Sequence, residues 1–437
     1  MPDALLDGAE LAVAMAQEAG ADGSFASMSR FRSVSLEVRD QELEKVQEST
    51  DTSLALQVFV DGRYSSHSTN DLQPESLQAF VKQAVDLTRA LEVDRYRELP
   101  DPARFADKPA ALNLHDPAVE SQSLEGRLAR AMALGERLAG KDKVISASAS
   151  AFDGYGERGA VSSNGFAGIY SSTSTGLFGN VTLRGEGDKR PEGGWGMSAR
   201  HLKSLRSPAE VGDEAMFRAR RRLGSKKGPT TKTTMVVDRD AAASLIVRLI
   251  GPASGGAVQQ GRSMWADKLG ATLVSKKLSI TSNPLIPGAV GSRPFDDEGA
   301  AAFEMPIIEK GALKNYFLSS YYARKLGTKP TTGSWGNIIV DPGKRNLDAI
   351  VKDAGTGVYV TSWLGGNADS TTGDFSFGLR GHLIEDGSIG APIGEMNVTG
   401  NLLALFNDLE EIGNDPFEHS MLRVPTLVFR DVQFSGT

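Results

Sequence analysis

Apolar and polar positions change period several times along the chain, and each change predicts an element. The opening stretch, MPDALLDGAELAVAMAQEAGADG, carries apolar residues at helical spacing and predicts an amphipathic helix ending at Gly20. The period then falls to two: Val34, Leu36 and Val38 alternate with polar residues, as do Leu54, Leu56, Val58 and Val60 before Asp61-Gly62. That is the pattern of a half-buried antiparallel sheet. Two helices come next, one with Leu77, Val81, Ala84, Leu87 and Leu91 on its apolar face, the other with Leu124, Leu128, Met132 and Leu138.

Strands resume over 144–152, and Asn164-Gly165 between alternating segments predicts a hairpin. Ser207 as N-cap, Pro208 at the first helical position and Glu210 for a capping box start another helix, which runs to Leu223 and stops at Gly224. The stretch from Ser225 to Thr230 is rich in breakers and marks the best domain boundary. Beyond it a strand over 233–237 leads into a helix starting near Asp238 and running through Ala241–Ile250. The remainder is Gly-rich, with turns at Pro287-Gly288, Lys310-Gly311, Pro342-Gly343 and Asp386-Gly387. The expected fold class is α+β: an N-terminal α/β domain with antiparallel sheet and helices (1–224), a linker (225–232), and a β-rich C-terminal domain (233–437) forming a barrel or a curved sheet.

Composition narrows the chemistry. With 40% apolar and 24% charged residues among 437, the chain is ordinary for a globular protein, and its 48 glycines suit a turn-rich β architecture. Cysteine is absent, which removes disulfides and thiolate ligands and fits a reducing, cytoplasmic setting. The N-terminus lacks the basic region of a signal peptide, and no apolar run approaches the ~18 residues of a membrane span. Net charge is −7, and the one dense basic stretch is Arg218, Arg220, Arg221, Arg222, Lys226 and Lys227. Without a nucleic-acid-binding motif beside it, this reads as a solvated helix end and not as a nucleic-acid patch.

Several motifs bear on chemistry. Gly154-Tyr155-Gly156-Glu157-Arg158-Gly159 matches G-x-G-x-x-G, but residues 160–165 after it have the pattern of strand and turn, where a dinucleotide site needs a helix; a hairpin loop is the better account. His67, His115, His201, His382 and His419 are too far apart in sequence for a local zinc pair. Two segments are dense in Gly, polar and acidic residues: 288–299 (GAVGSRPFDDEG) and 365–378 (GGNADSTTGDFSFG). They suit an extended ligand approaching main chain, and equally suit turn-rich connections that cap their own backbone. Within the first, Asp296, Asp297 and Glu298 would diverge along a strand, so an ion pair with Arg293 is favoured over catalysis. A hydrolase built on Asp296, Asp297 or Asp374 is the least favoured reading.

These same segments carry a resemblance. Ser254 to Gln259 (SGGAVQ), Gly291 to Gly299 (GSRPFDDEG), Thr372 to Gly378 (TGDFSFG), Gly390 to Asn401 (GAPIGEMNVTGN), Ile412 to Asp415 and Val424 to Leu427 resemble the TldD/TldE (PmbA) family, and Asp61-Gly62-Arg63 with Ser68 to Asp71 agrees in the N-terminal half. TldD-type members of that family carry an H-E-x-x-x-H helix and a later cysteine that hold zinc. Here Val247 and Pro252 stand where the histidines would be, Arg248 where the Glu would be, and the cysteine-bearing segment is missing.

The resemblance therefore implies a TldE-type chain with no metal of its own and no catalytic residue. It would pair with a zinc-bearing TldD-type subunit and enclose unfolded peptide for proteolysis or precursor maturation. The alternative is a homodimeric peptide-binding or chaperone-like protein. Candidate peptide-orienting residues are Arg293, Phe295 and Asp297 in one motif, and Asn367, Thr372, Asp374 and Phe375 in the other.

Overall fold

A computed structural model describes residues 3–107 and 110–436. The N-terminal half is built on one six-stranded antiparallel sheet of unusually long strands. They are β1 (Gly23–Arg39), β2 (Glu42–Val60), β3 (Arg63–Thr69), β4 (Val144–Ser162), β5 (Ala167–Leu183) and β6 (Glu192–Ala199), in the order β3-β2-β1-β4-β5-β6. Turn chemistry fixes the registers. Asp40 and Gln41 join β1 to β2, and Asp61 and Gly62 join β2 to β3, all four at positive φ as two-residue hairpin turns require. Gly165, at φ +110, closes the β4–β5 hairpin predicted from Asn164-Gly165.

Helices cover one face of this sheet: α1 (Asp3–Glu18), α2 (Pro74–Arg89), the short α3 (Pro117–Glu120), α4 (Leu124–Leu138) and α5 (Pro208–Arg220). Under α1 and α2 lie Leu5, Ala9, Ala12, Leu54, Leu56, Val58, Val81 and Val85; under α4 and α5 lie Ala131, Leu134, Leu138, Ala149, Ala151, Val181, Val211 and Ala215. Two apolar stripes differ from the sequence expectation. Leu87, Leu91 and Leu124 are exposed, while Val85, Ala131 and Leu134 are buried. Leu91 lies beyond the end of α2 and Leu124 is the first residue of α4, while Leu77, Val81, Leu134 and Leu138 are buried. The capping box of α5 is formed as predicted, Ser207 Oγ accepting from Glu210 N and the Glu210 carboxylate from Ser207 N. The helix ends at Arg220, and its chain reverses through turns to Gly224 at φ +75.

The G-x-G-x-x-G stretch is not a loop. It lies inside β4, paired on both sides. Gly154 and Gly156 make room for the Phe31 ring, whose atoms would lie 2.9 and 3.3 Å from a Cβ at those positions, and Gly159 lets the α1 backbone approach to 3.3 Å.

The C-terminal half contains β7 (Lys226–Lys227), β8 (Thr231–Val237), β9 (Ile280–Asn283), β10 (Met305–Glu309), β11 (Ala312–Leu313), β12 (Asn337–Val340), β13 (Gly357–Ala368), β14 (Asp374–Glu385), β15 (Ser388–Asn401), β16 (Leu409–Ile412), β17 (Leu422–Arg423) and β18 (Leu427–Ser435). Five helices punctuate them: α6 (Arg239–Ile250), α7 (Gly255–Gln259), α8 (Ser320–Lys325), α9 (Leu347–Ala354) and α10 (Leu402–Asn407). One sheet runs β16-β18-β8-β13-β14-β15-β7, and β15 also pairs with β18, closing five of these strands into a barrel. A smaller sheet runs β11-β10-β9-β12-β17. The α+β class and barrel-like C-terminal half expected from sequence are both present. The stretch expected as a linker holds β7, which pairs in parallel with Ile393 and Gly394 of β15.

Asp238 caps α6, accepting from Asp240 N, and the apolar side of α6 (Ala242, Leu245, Ile246, Leu249) joins Val237, Val358, Phe377, Leu379, Met396 and Phe429 in the largest core. That contact fixes α6 against the barrel wall.

Candidate functional site

The barrel places α6 beside the β13–β14 hairpin, so the helix carrying Val247 and Arg248 meets the motif at 365–378. Trp363 Nε1 of β13 donates to the Ala241 carbonyl at 3.0 Å, and the Arg248 guanidinium lies over the Phe377 ring, 4.7 Å from its centroid. Phe377 in turn stacks on Phe375 with centroids 4.7 Å apart. Both rings are buried, so Phe375 supports the hairpin from beneath and offers no face to a ligand.

Alternation along β14 sends Asp374, Ser376 and Arg380 outward on the opposite face. At the tip of the hairpin, Asp369 accepts from the N–H groups of Thr371 and Thr372, Thr372 Oγ1 donates to Asp374 at 2.9 Å, and Asn401 Nδ2 donates to Asp374 Oδ1 at 3.0 Å. These bonds hold both carboxyls below the usual range: backbone N–H donors for Asp369, Asn401 and Thr372 side chains for Asp374. Asn367, Thr372 and Asp374 are thus gathered on one exposed hairpin.

The other motif goes elsewhere. Residues 288–299 form a clasp against the reverse face of the N-terminal sheet. Phe295 is 1% exposed, its ring edge-on to Phe166 at 5.1 Å and Tyr170 at 5.2 Å. A ring so enclosed cannot line an open cavity, which corrects the expectation for Phe295. Arg293 does not pair with the acidic trio; its guanidinium donates to the carbonyls of Trp335 and Ser334 at 2.9 and 2.6 Å. The trio lies in a turn, not a strand. Asp296 accepts from Glu298 N and Ala300 N, Glu298 accepts from Ser320 N and Oγ and pairs with Arg104, and Asp297 pairs with Arg158 of β4 at 2.7 Å. Burial raises the Asp296 and Glu298 carboxyls. The structure therefore separates the two groups of candidates: Phe295 and Asp297 hold the halves of the chain together and Arg293 braces their segment against Ser334 and Trp335, whereas Asn367, Thr372 and Asp374 stand free of that contact.

The C-terminal end of α6 leaves nothing for a metal. Val247 is apolar and Arg248 is a cation over a ring. Pro252 is buried in a 3-10 turn after the helix has ended, its carbonyl accepting from Ser263 Oγ at 2.6 Å. Trp265 Nε1 donates to the Leu249 carbonyl at 2.6 Å and Gly251 N to the Val247 carbonyl, so these two acceptors at the helix end are taken by the chain itself. Zinc takes three or four His, Cys or carboxylate donors, and among the described residues no three such side chains converge. The donor set at these positions does not fit zinc.

Comparison with known proteins decides the relationship. Models of three consecutive family domains match this chain: PmbA/TldA metallopeptidase domain 1 over residues 26–88, the central domain over 117–223 and the C-terminal domain over 230–436. The chain belongs to the PmbA/TldD metallopeptidase family. The metalloprotease PmbA of Escherichia coli O157:H7 is 29% identical over 420 residues, covering 95% of this chain and 92% of its own. A crystal structure from Bacteroides thetaiotaomicron, of a protein described as a modulator of DNA gyrase, superposes with a TM-score of 0.95 at 37% identity, covering 99% of this chain and 98% of that one. TldE from Thermococcus kodakarensis shares the fold, with a TM-score of 0.86 at 18% identity over 98% of this chain and all of that one. Family membership thus sits beside a helix end that carries Val247, Arg248 and Pro252, none of them a zinc donor.

One group of residues escapes a reading of the sequence. Arg380, His382, Lys189 and the arginines after α5 line a single cleft between the two halves of the chain. Lys189 and Arg380 are far apart in sequence, so only the tertiary fold can assemble them.

Proposed function

We propose that this chain is the non-catalytic, TldE/PmbA-type subunit of a TldD–TldE-type metallopeptidase. In this reading it encloses and orients unfolded peptides while a TldD-type partner supplies the zinc and cuts them. The observation that carries it is the end of α6, where Arg248 is committed to Phe377 and Pro252 to a turn, inside a fold that otherwise matches the metallopeptidase family along its length. The exposed hairpin with Asn367, Thr372 and Asp374 supports a role in holding peptide main chain, since its amide, hydroxyl and carboxylate groups lie together above a rigid aromatic base. The absence of cysteine supports a cytoplasmic setting, and among the described residues no helix is long and apolar enough to cross a membrane.

The test is purification of this chain alone and with a TldD-type subunit, followed by metal analysis and digestion of unfolded casein. The expected result is one zinc and peptide cleavage only in the mixture. Stoichiometric zinc and cleavage by the pure chain would overturn the reading. A stable homodimer that suppresses aggregation of unfolded protein and ignores the partner would replace it with the chaperone-like alternative.

A further inference from the structure

The cleft between the two halves has a volume of about 610 Å³, within the range of sites for small ligands. One wall is the β5–β6 loop, the other is β14 and β15 of the barrel, and the turn after α5 closes the end between them. Six cations line it: Lys189, Arg190, Arg221, Arg222, Lys226 and Arg380, against the three carboxylates Glu186, Glu192 and Glu395. This stands out in a chain of net charge −7.

None of these six cations has a carboxylate within ion-pair distance among the described residues, whereas the neighbouring Arg218 pairs with both Glu214 and Asp240 at 2.6 Å. Lys189 and Arg222 donate only to main-chain carbonyls, those of Ser225 and Glu192. Burial and the repulsion of Arg380, Arg221 and Arg218 bring the Arg222 guanidinium down to about 10. A helix end does not account for the cluster, since its dipole amounts to roughly half a charge. The base of the cleft is fixed: His382 is buried, its Nδ1 facing the Gly390 carbonyl at 3.3 Å, and burial lowers its pKa and favours the neutral ring. Beneath it Tyr359 donates to the Asp238 carboxylate.

We propose that this cleft is a binding site for a small ligand carrying two or more phosphate groups, held by Arg221, Arg222, Arg380 and Lys189. Like charges gathered in a concave, partly desolvated site stay together at lower cost when a compact polyanion neutralises them. A polyphosphate concentrates about three negative charges within a few ångströms, and guanidinium forks match its oxygens; an acidic peptide spreads one charge per ~3.3 Å of strand. This site is independent of the peptide-subunit reading and stands or falls without it.

The test is isothermal titration calorimetry of the full chain with inorganic tripolyphosphate, and separately with hexaglutamate. The expected result is saturable one-to-one binding of tripolyphosphate, weakened roughly tenfold or more by Arg380→Glu, a change at an exposed side chain in which a charged hydrogen-bond donor is lost. Arg32→Glu, far off on the β1–β2 hairpin, should leave the affinity unchanged. Absence of saturable binding would overturn the proposal, as would equal weakening by both variants. Hexaglutamate binding as tightly as tripolyphosphate would overturn the phosphate assignment. Circular dichroism and melting curves matching the parent chain establish that Arg380→Glu is folded; should it not be, Lys189→Ala serves as the second variant, with weakened binding again expected and parent affinity overturning the proposal.

Discussion

The Arg248 guanidinium carbon sits 4.7 Å from the centroid of the Phe377 ring, joining α6 to the motif at 365–378. A cation on a ring face is stabilised by the ring quadrupole, by about 1 kcal/mol where it is partly desolvated. Arg248→Ala should therefore lower stability by about that amount. Arg248→Glu should lower it further, because a carboxylate on the same face is repelled. Urea denaturation of the two variants checks the order; a more stable Glu variant would show that Arg248 is not held by the ring.

The clasp between the halves predicts unequal effects from neighbouring carboxylates. Glu298 is largely buried and satisfies Ser320 N, Ser320 Oγ and Arg104 together, so Glu298→Ala strands several polar groups and should cost roughly 2–4 kcal/mol. Asp297 makes a shorter ion pair, yet its side chain is 66% exposed, and Asp297→Ala should cost about 1 kcal/mol or less. Denaturant midpoints measure both, and equal losses would contradict this assignment.

How far the sequence foretells these arrangements depends on whether the signal is local. The turns at Gly62, Gly165, Gly288, Gly311 and Gly387, all at positive φ, the Ser207 capping box and the Asp238 cap are written in adjacent residues and form, whereas Pro342-Gly343 makes no turn and Gly343 N donates instead to the Gly413 carbonyl. The closed barrel is also foreshadowed by short strands and turns. Side-chain destinations are not. Phe295 and Asp297 share a motif, but their partners Phe166, Tyr170 and Arg158 lie on β4, β5 and the loop between them, a contact no local pattern encodes. The G-x-G-x-x-G match misleads for a related reason: its glycines answer the ring of Phe31 on the paired strand and the backbone of α1. The cleft cations read as a solvated helix end because Arg380 and Lys189 join them only through the fold.

The two acidic motifs should titrate in opposite directions. Burial raises Glu298 from 4.5 and Asp296 from 3.8, so the folded state holds those protons more tightly than the unfolded chain. Their contribution to stability declines as pH rises from the ordinary carboxyl value through the raised one, and is flat above it. Asp369 and Asp374 are lowered by N–H, amide and hydroxyl donors, so what they contribute is present above the ordinary value and lost as pH falls through the lowered one. Carboxyl NMR titration should place the Asp374 midpoint below 3.8 and that of Glu298 above 4.5. The reverse order would refute the hydrogen-bond network drawn for the hairpin tip.

A buried ion pair under α4 gives the last prediction. Arg127 Nε donates to Asp153 Oδ2 at 2.7 Å, with side-chain exposures of 5% and 3%, and Arg130 approaches the same oxygen at 3.4 Å. Removing the carboxylate leaves a guanidinium buried in a helix–sheet core, so Asp153→Ala should destabilise by roughly 3–5 kcal/mol. Replacing both partners by apolar residues of similar size removes the stranded charge along with the attraction, so Arg127→Met with Asp153→Leu should be much closer to the parent. Arg130 also faces Asp153, which keeps the double variant from full recovery; adding Arg130→Met should close most of the remaining gap. Thermal melts of the three variants test this. If the double variant were no more stable than Asp153→Ala, the pair would be contributing by packing shape and not by mutual neutralisation of charge.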